Sequence, residues 1–215
     1  VQATQHDPFA CLGAHAIDDK TWSVTCFQPY ADQVEFLQGK KWLPLERIHA
    51  DGLFQWQGKQ AVSSPYQIRI TQGQHQYVVF DAYSFPHSIS ADDLYLFGEG
   101  RLNQAYLMLG AQRMQLEGIE GVRFAVWAPN AERVSVVGDF NRWDGRMHSM
   151  RSHGSSGVWE IFVPHLQAND LYKFEMRNRQ SGQVLVKTDP YGFAFEPRPG
   201  TAAKVVDLDN HQWAD

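Results

Sequence analysis

The sequence predicts an all-β protein built as two tandem antiparallel β-sandwiches joined by short helices. Three observations carry this: the chain repeats itself at a spacing of about 100 residues, apolar residues inside each copy alternate with period two, and helix-type caps occur only between the copies.

The repeat is read first because a missed duplication gives the wrong fold. Leu12-Gly13-Ala14 recurs as Leu109-Gly110-Ala111, and Phe27-Gln28-Pro29-Tyr30-Ala31-Asp32-Gln33-Val34 as Trp127-Ala128-Pro129-Asn130-Ala131-Glu132-Arg133-Val134. In the same order Trp42 answers Trp143, Gly52-Leu53-Phe54 answers Gly157-Val158-Trp159, Tyr66-Gln67-Ile68 answers Tyr172-Lys173-Phe174, and Asp81-Ala82-Tyr83 answers Asp189-Pro190-Tyr191. The offset drifts only from 97 (Leu12 to Leu109) to 108 (Asp81 to Asp189), so each copy reads as a domain. The expected organisation is one sandwich over 1–95, a second over 96–203 and a tail over 204–215.

In the first copy, Gln67-Ile68-Arg69-Ile70-Thr71 and His75-Gln76-Tyr77-Val78-Val79-Phe80, with Gln72-Gly73-Gln74 between them, read as a hairpin. In the second, Val122, Phe124 and Val126 alternate with Arg123, Ala125 and Trp127. Likewise Trp159, Ile161 and Val163 alternate with Glu160 and Phe162, and Tyr172, Phe174 and Met176 with Lys173, Glu175 and Arg177, so one face is core and the other wet. Turns at Pro129-Asn130, Asp144-Gly145, Gly154-Ser155-Ser156-Gly157 and Ser181-Gly182 make the sandwich immunoglobulin-like. Between the copies, Ser90 can cap a helix from Ala91 to Phe97 with Asp92 and Asp93 in its first turn and Gly98 beyond it. A second helix is expected from Arg101 to Leu109 with Gly110 as its cap, and both should pack the sandwiches together. A last extended stretch is expected from Ala203 to Leu208.

Composition excludes several classes. With 43% hydrophobic and 20% charged residues the chain can form cores, but no apolar run nears the roughly 20 residues that cross a bilayer. The net charge of −5, with no basic cluster denser than Lys40-Lys41, argues against nucleic acid or an anionic membrane as partner and for a neutral ligand. Cys11 and Cys26 are too few for a disulfide scaffold and read as reduced, buried thiols of a cytoplasmic protein. No Gly-x-Gly-x-x-Gly loop, Gly-x-Ser-x-Gly turn or paired metal-ligand spacing occurs, so no cofactor and no metal is expected.

The stretch from Gly121 through Phe124-Ala125-Val126-Trp127-Ala128-Pro129-Asn130-Ala131 and Val136-Val137-Gly138-Asp139-Phe140-Asn141-Arg142-Trp143-Asp144-Gly145 resembles the glycogen-binding sandwich of branching enzymes. The resemblance continues through Leu171-Tyr172-Lys173-Phe174-Glu175, Lys187-Thr188-Asp189-Pro190-Tyr191 and Arg198-Pro199-Gly200-Thr201-Ala202. The upstream copy, opening with His6-Asp7-Pro8-Phe9 and Leu12-Gly13-Ala14-His15, looks like the longer N-terminal arrangement of bacterial members. The resemblance implies an alpha-1,4-glucan ligand (glycogen or maltooligosaccharides), and a parent enzyme that transfers glucan chains to alpha-1,6 branch points on a barrel domain, this chain's implied partner.

Sugar rings offer a C–H face that suits an aromatic and a hydroxyl edge that suits polar donors. Trp143, in a turn after the strand Val134 to Val137, and Lys173, on a polar strand face, fit that description, with Asn141, Asp144 and Gly145 beside the aromatic. The residues alone leave two readings open: a glucan platform, or a tryptophan folded back onto the sandwich end beside a solvated lysine. Trp127 and Trp159 read instead as core or interface. Related sandwiches in kinase regulatory subunits carry a second tryptophan near Gly182-Gln183-Val184 and an asparagine near Ala203-Lys204, which this chain lacks. Trp42, without the neighbours of Trp143, is not expected to bind glucan.

Retaining glucan chemistry needs two carboxyl groups about 5 Å apart on barrel strand ends, and none is recognisable, so no catalytic residue is assigned. Asp207-Leu208-Asp209-Asn210-His211 resembles a barrel signature with the spacing one residue short. The leading reading is a glucan-guiding portion of a branching enzyme. The alternatives are a stand-alone glycogen scaffold that recruits a protein partner, and the N-terminal part of a debranching enzyme or trehalohydrolase.

Overall fold

A computed structural model describes residues 7–207, which divide into two compact units meeting at Pro86/His87. The signature at Asp209-Asn210-His211, Leu208 and the leading His6 lie outside the described residues.

In the first unit, a short 3-10 turn at Pro8–Ala10, capped by the Asp7 carboxylate, leads into β1 (Gly13–Ala16). There follow β2 (Trp22–Phe27), β3 (Gln33–Gln38), β4 (Lys41–His49), β5 (Leu53–Gly58), β6 (Gln67–Gln72) and β7 (His75–Phe80). All are antiparallel, in the order β1-β2-β5-β4-β3-β6-β7. Nine-residue β4 makes this a sandwich, because its first half pairs β3 and its second half pairs β5. Val34 and Phe36 of β3, Ile68 and Ile70 of β6, Val24 and Cys26 of β2 and Phe54 of β5 fill the core, as the alternation requires. The β6–β7 hairpin forms as expected around Gly73, whose φ of +57° suits a two-residue turn. Cys26 is buried; Cys11, just past the 3-10 turn, is exposed, which corrects the reading of two buried thiols.

The second unit opens with α1 (Ala91–Gly98), whose Ser90 hydroxyl accepts from the Asp93 amide at 3.0 Å. Leu94 and Phe97 of α1 pack on Ile89, Met108, Leu109 and Val158 of the same unit. The second expected helix shrinks to α2 (Ala105–Met108), a single turn. Leu109 is extended and fully buried, and Gly110, at φ +88°, opens a strand instead of capping a helix. Core burial of Leu109 thus outweighs helical spacing.

The strands are β8 (Gly110–Leu116), β9 (Ile119–Trp127), β10 (Ala131–Gly138), β11 (Arg151–Ser152), β12 (Val158–Pro164), β13 (Leu171–Asn178), β14 (Val184–Lys187), β15 (Ala194–Phe195) and β16 (Ala203–Lys204). They form a four-stranded sheet, β11-β12-β9-β8, facing a five-stranded one, β10-β13-β16-β15 with β14 on β13. Phe124 of β9 meets Tyr172 of β13 across the core with ring centres 4.9 Å apart. Among the described residues of the extended stretch expected from Ala203 to Leu208, the strand covers Ala203–Lys204.

One departure from simple alternation sets the unit's entry. β12 is buried on both faces, including Glu160 at 1% exposure. Its carboxylate accepts from the Ser88 amide (2.7 Å) and hydroxyl (2.6 Å) and from His153 Nε2 (2.7 Å). The segment entering α1 is thereby pinned to this sheet. Burial alone pushes the Glu160 pKa up, but the His153 and Ser88 hydrogen bonds outweigh it and hold the group at about 2.

Against 4.5 in the unfolded chain, a pKa near 2 means the unfolded state takes up the proton first on acidification. The Glu160 contribution is therefore complete above about pH 4.5 and lost toward pH 2. Glu160→Gln should cost about 2 kcal/mol at pH 7, a fall in Tm of roughly 5–10 °C, and should flatten the acid side of the Tm–pH curve. Thermal melts from pH 7 to pH 3 check this; an unchanged acid limb would remove Glu160 from the account.

Candidate functional site

The site is built where β10 ends. At Gly138 a Cβ would lie 2.2 Å from the Leu171 carbonyl oxygen and 2.4 Å from the Phe140 ring, so only glycine lets the chain turn there. A 3-10 turn over Asp139–Asn141 follows, and then Arg142 and Trp143, both left-handed at φ +57° and +58°. Two consecutive non-glycine residues in that region cost roughly 1–2 kcal/mol each, so the turn must be held by its surroundings.

Asn141 holds it. Its side chain is 1% exposed: Oδ1 accepts from the Gly138 amide at 3.0 Å, and Nδ2 donates to the Val136 carbonyl (2.9 Å) and to His148 Nδ1 (2.9 Å). The Trp143 amide donates to the Gly138 carbonyl at 2.9 Å. Phe140 lies against Phe124 with rings 6.2 Å apart and nearly parallel, tying the turn to the core. The result is a Trp143 side chain 39% exposed, its indole Nε1 donating to Asp139 Oδ1 at 2.8 Å. Burial presses the His148 pKa down to about 4, so the ring is neutral near pH 7 and can accept from Asn141.

The other expected residues divide by role. Lys173 pairs with Val137 in the β10–β13 register, one residue from the carbonyl that takes the Trp143 amide. Its Nζ donates to Thr201 Oγ1 at 2.6 Å, so it already serves a hydroxyl on the polar face. The Asp144 carboxylate is engaged by Arg146, with Nη2 at 2.7 Å from Oδ2. Gly145 lies against Glu175, where a Cβ would sit 2.1 Å from Oε1, and Glu175 is ion-paired with Arg133. Trp143 and Lys173 therefore present groups outward, while Asn141, Asp144 and Gly145 shape the turn. Asn141 is too deeply buried to touch a sugar, a correction to its expected contact role.

Trp127 ends β9 and is not part of the core, one of the two places expected for it. It is 54% exposed, with Nε1 donating to the Ser156 carbonyl (3.2 Å) and its ring edge-to-face with Phe97 at 6.2 Å. It lines a groove of about 430 Å³ with Pro129, Asn178, Leu185 and Lys187. Its strand parity is that of Arg123 and of fully buried Ala125, so the strand period alone does not account for its exposure. Trp159, by contrast, is core, its Nε1 bonded to the Ala128 carbonyl at 3.1 Å. In the first unit the Trp42 ring is covered by the Arg69 guanidinium at 4.6 Å from its centre, and Arg69 is in turn bound by Glu35.

Fold and matches together define the class: a tandem β-sandwich protein whose second unit carries a carbohydrate-binding module. Residues 108–192 match the family described as carbohydrate-binding module 48 (isoamylase N-terminal domain), and residues 1–83 match the alpha-1,4-glucan branching enzyme GlgB N-terminal domain. The 1,4-alpha-glucan branching enzyme GlgB of Methylobacillus flagellatus is 54% identical over 215 residues, covering 100% of this chain and 30% of that protein. Those of Nitrosospira multiformis and Thermosynechococcus vestitus are 49% and 42% identical, over 98% and 100% of this chain and 29% of each relative. The chain belongs to the branching-enzyme family, matching its non-catalytic N-terminal region, and spans about 30% of the length of these relatives. No helix among the described residues is long and apolar enough to cross a membrane.

The closeness of Gly145 to Glu175 makes a prediction. Gly145→Ala should force the Glu175–Arg133 pair apart, lower the Tm of the second unit by several degrees and shift the Trp143 indole N–H resonance. Melting and ¹H–¹⁵N spectra report both; an unmoved indole signal would show that Gly145 does not shape the turn.

Proposed function

We propose that this chain binds alpha-1,4-glucan through its second sandwich, with Trp143 as the stacking platform and Lys173 as a donor to sugar hydroxyls. In the longer enzyme it would guide glucan chains to a catalytic barrel. The observation that carries the reading is the Trp143 ring: two left-handed residues, a buried asparagine and an Asp139 hydrogen bond are committed to holding one aromatic partly in solvent. An indole whose N–H is already bonded offers its face, which is the part a pyranose needs. The first sandwich is proposed as a spacer, in keeping with the Arg69 guanidinium over Trp42. A free-standing scaffold or a debranching-enzyme fragment is less favoured, since the relatives above carry the branching-enzyme name along the whole chain. The cytoplasm is the proposed location.

A second platform is supported by Trp127, whose exposure exceeds that of Trp143 and whose groove has polar Asn178 and Lys187 beside apolar Leu185. Single variants separate the two. Trp143→Ala should weaken maltoheptaose binding at least tenfold, about 1.4 kcal/mol, from a Kd on the order of 0.1–1 mM, with little change in Tm. Lys173→Ala should act in the same direction but less, and salt should matter little because the ligand is neutral. Calorimetric titration with melts decides it: full affinity in Trp143→Ala together with loss in Trp127→Ala transfers the site to the groove, and full affinity in both ends the proposal.

The isolated chain should neither branch nor hydrolyse amylose, because no carboxyl pair of the required kind was recognisable in its sequence. Iodine-stained amylose should keep its absorbance; a loss that survives repurification would overturn this.

A further inference from the structure

The segment after Gly145 closes a circuit back to the Trp143 turn. The Val136 amide donates to the His148 carbonyl and the Met150 amide to the Val134 carbonyl, at 3.1 and 2.8 Å. Residues 148–150 therefore run along the outer edge of β10, which has β13 on its other side. Fully buried Met150 anchors this run in the core. His148 is thus held by its backbone, and its ring reaches Asn141 from a fixed base. The Phe140 ring lies 5.6 Å from the imidazole and close to parallel with Phe124, filling the space between histidine and core.

The Asn141 amide has no freedom of orientation. Its oxygen accepts from the Gly138 amide and its nitrogen donates to the Val136 carbonyl, so the nitrogen must face His148. His148 Nδ1 can then only accept, which makes the ring the neutral Nε2–H tautomer. A protonated ring would set an N–H against the N–H of Asn141. The cost would fall on Asn141, whose other bonds hold the Gly138 backbone to which Trp143 is tied.

We infer that Asn141 and His148 form a positioning latch for Trp143, closed when the His148 ring is neutral and opened when it is protonated. The consequence for glucan rests on the Trp143 reading above; the mechanics of the latch do not. Charged groups on the surrounding elements have their own partners. On the loop itself Asp139 takes the Trp143 indole and Asp144 takes Arg146. On β10 Arg133 pairs with Glu175 and Glu132 with Arg177, on β13 Lys173 bonds Thr201, and on β9 Arg123 donates to the Leu107 and Met108 carbonyls. Arg142 precedes Trp143 in the loop and Arg151 follows Met150; among these groups His148 is the ionisable ring bonded to the Asn141 amide, so its protonation acts on the latch directly.

The test compares two variants and one titration. His148→Asn keeps an acceptor near the Nδ1 position but cannot take up a proton; His148→Ala removes the acceptor. In ¹H–¹⁵N spectra from pH 7.5 to pH 4, without sugar, the wild-type Trp143 indole resonance, assigned with Trp143→Phe, should move in step with the His148 ring. In His148→Asn, which keeps the Asp139 bond to the indole, the part of the movement that follows the His148 ring should be absent. At pH 7.5 maltoheptaose affinity should fall at least fivefold in His148→Ala and stay within twofold of wild type in His148→Asn. An indole resonance indifferent to the His148 titration overturns the latch, as does an Asn variant that binds as poorly as the Ala variant. If Trp143→Ala leaves affinity unchanged, the glucan reading fails instead, and the indole titration alone decides the latch.

Discussion

A tyrosine hydroxyl donating to a buried carboxyl group ties off each sandwich. In the first unit Tyr66 Oη donates to Asp81 Oδ2 at 2.6 Å, and in the second Tyr172 Oη donates to Asp189 Oδ2, also at 2.6 Å. In both, the second carboxyl oxygen accepts the amide two residues on, from Tyr83 at 3.1 Å and Tyr191 at 2.8 Å. The turn so formed packs on a left-handed glycine opening the first strand of its unit: a Cβ on Gly13 would lie 2.6 Å from the Tyr83 carbonyl oxygen, and one on Gly110 3.1 Å from that of Tyr191. Burial raises the pKa of both aspartates, offset in part by these donors, so each carboxyl is held in the fold by hydrogen bonds that no exposed site could replace. In each unit this polar tie brings the turn after the aspartate onto the glycine that opens the first strand.

The site depends on this tie through β13. Tyr172 fixes the strand against Phe124 of β9, and alternation then sends Lys173 and Glu175 to the opposite face. Glu175 receives Gly145, and Gly138, opposite Tyr172, receives the Trp143 amide. The turn carrying the exposed indole is thus clamped at two points on strands whose position the core decides.

Duplication kept the tie and changed the loops. Trp42 and Trp143 occupy matching places in the repeat, yet a guanidinium covers one ring and a carboxylate binds the edge of the other. A cation over the face removes the surface a sugar would use, whereas a bond at the indole N–H leaves it. The scaffold is shared; its surface chemistry is set by a few side chains.

The sequence by itself determined what depends on local pattern. Alternation at Val34, Phe36, Ile68 and Ile70 defined strands, Gly73 defined a hairpin, Ser90 defined a helix start, and the repeat defined two copies. Tertiary structure decided what depends on partners far apart in the chain. Glu160 is buried because Ser88, 72 residues away, donates to it, and no strand period contains that fact. Leu109 left its helical pattern for the core, so the second helix is one turn long. Asn141 reads as a polar turn residue suited to a sugar, but its three hydrogen bonds turn it inward and make it a support for Trp143. Periodicity records which face a side chain takes; only the folded chain supplies the donor or acceptor that lets a polar group remain buried.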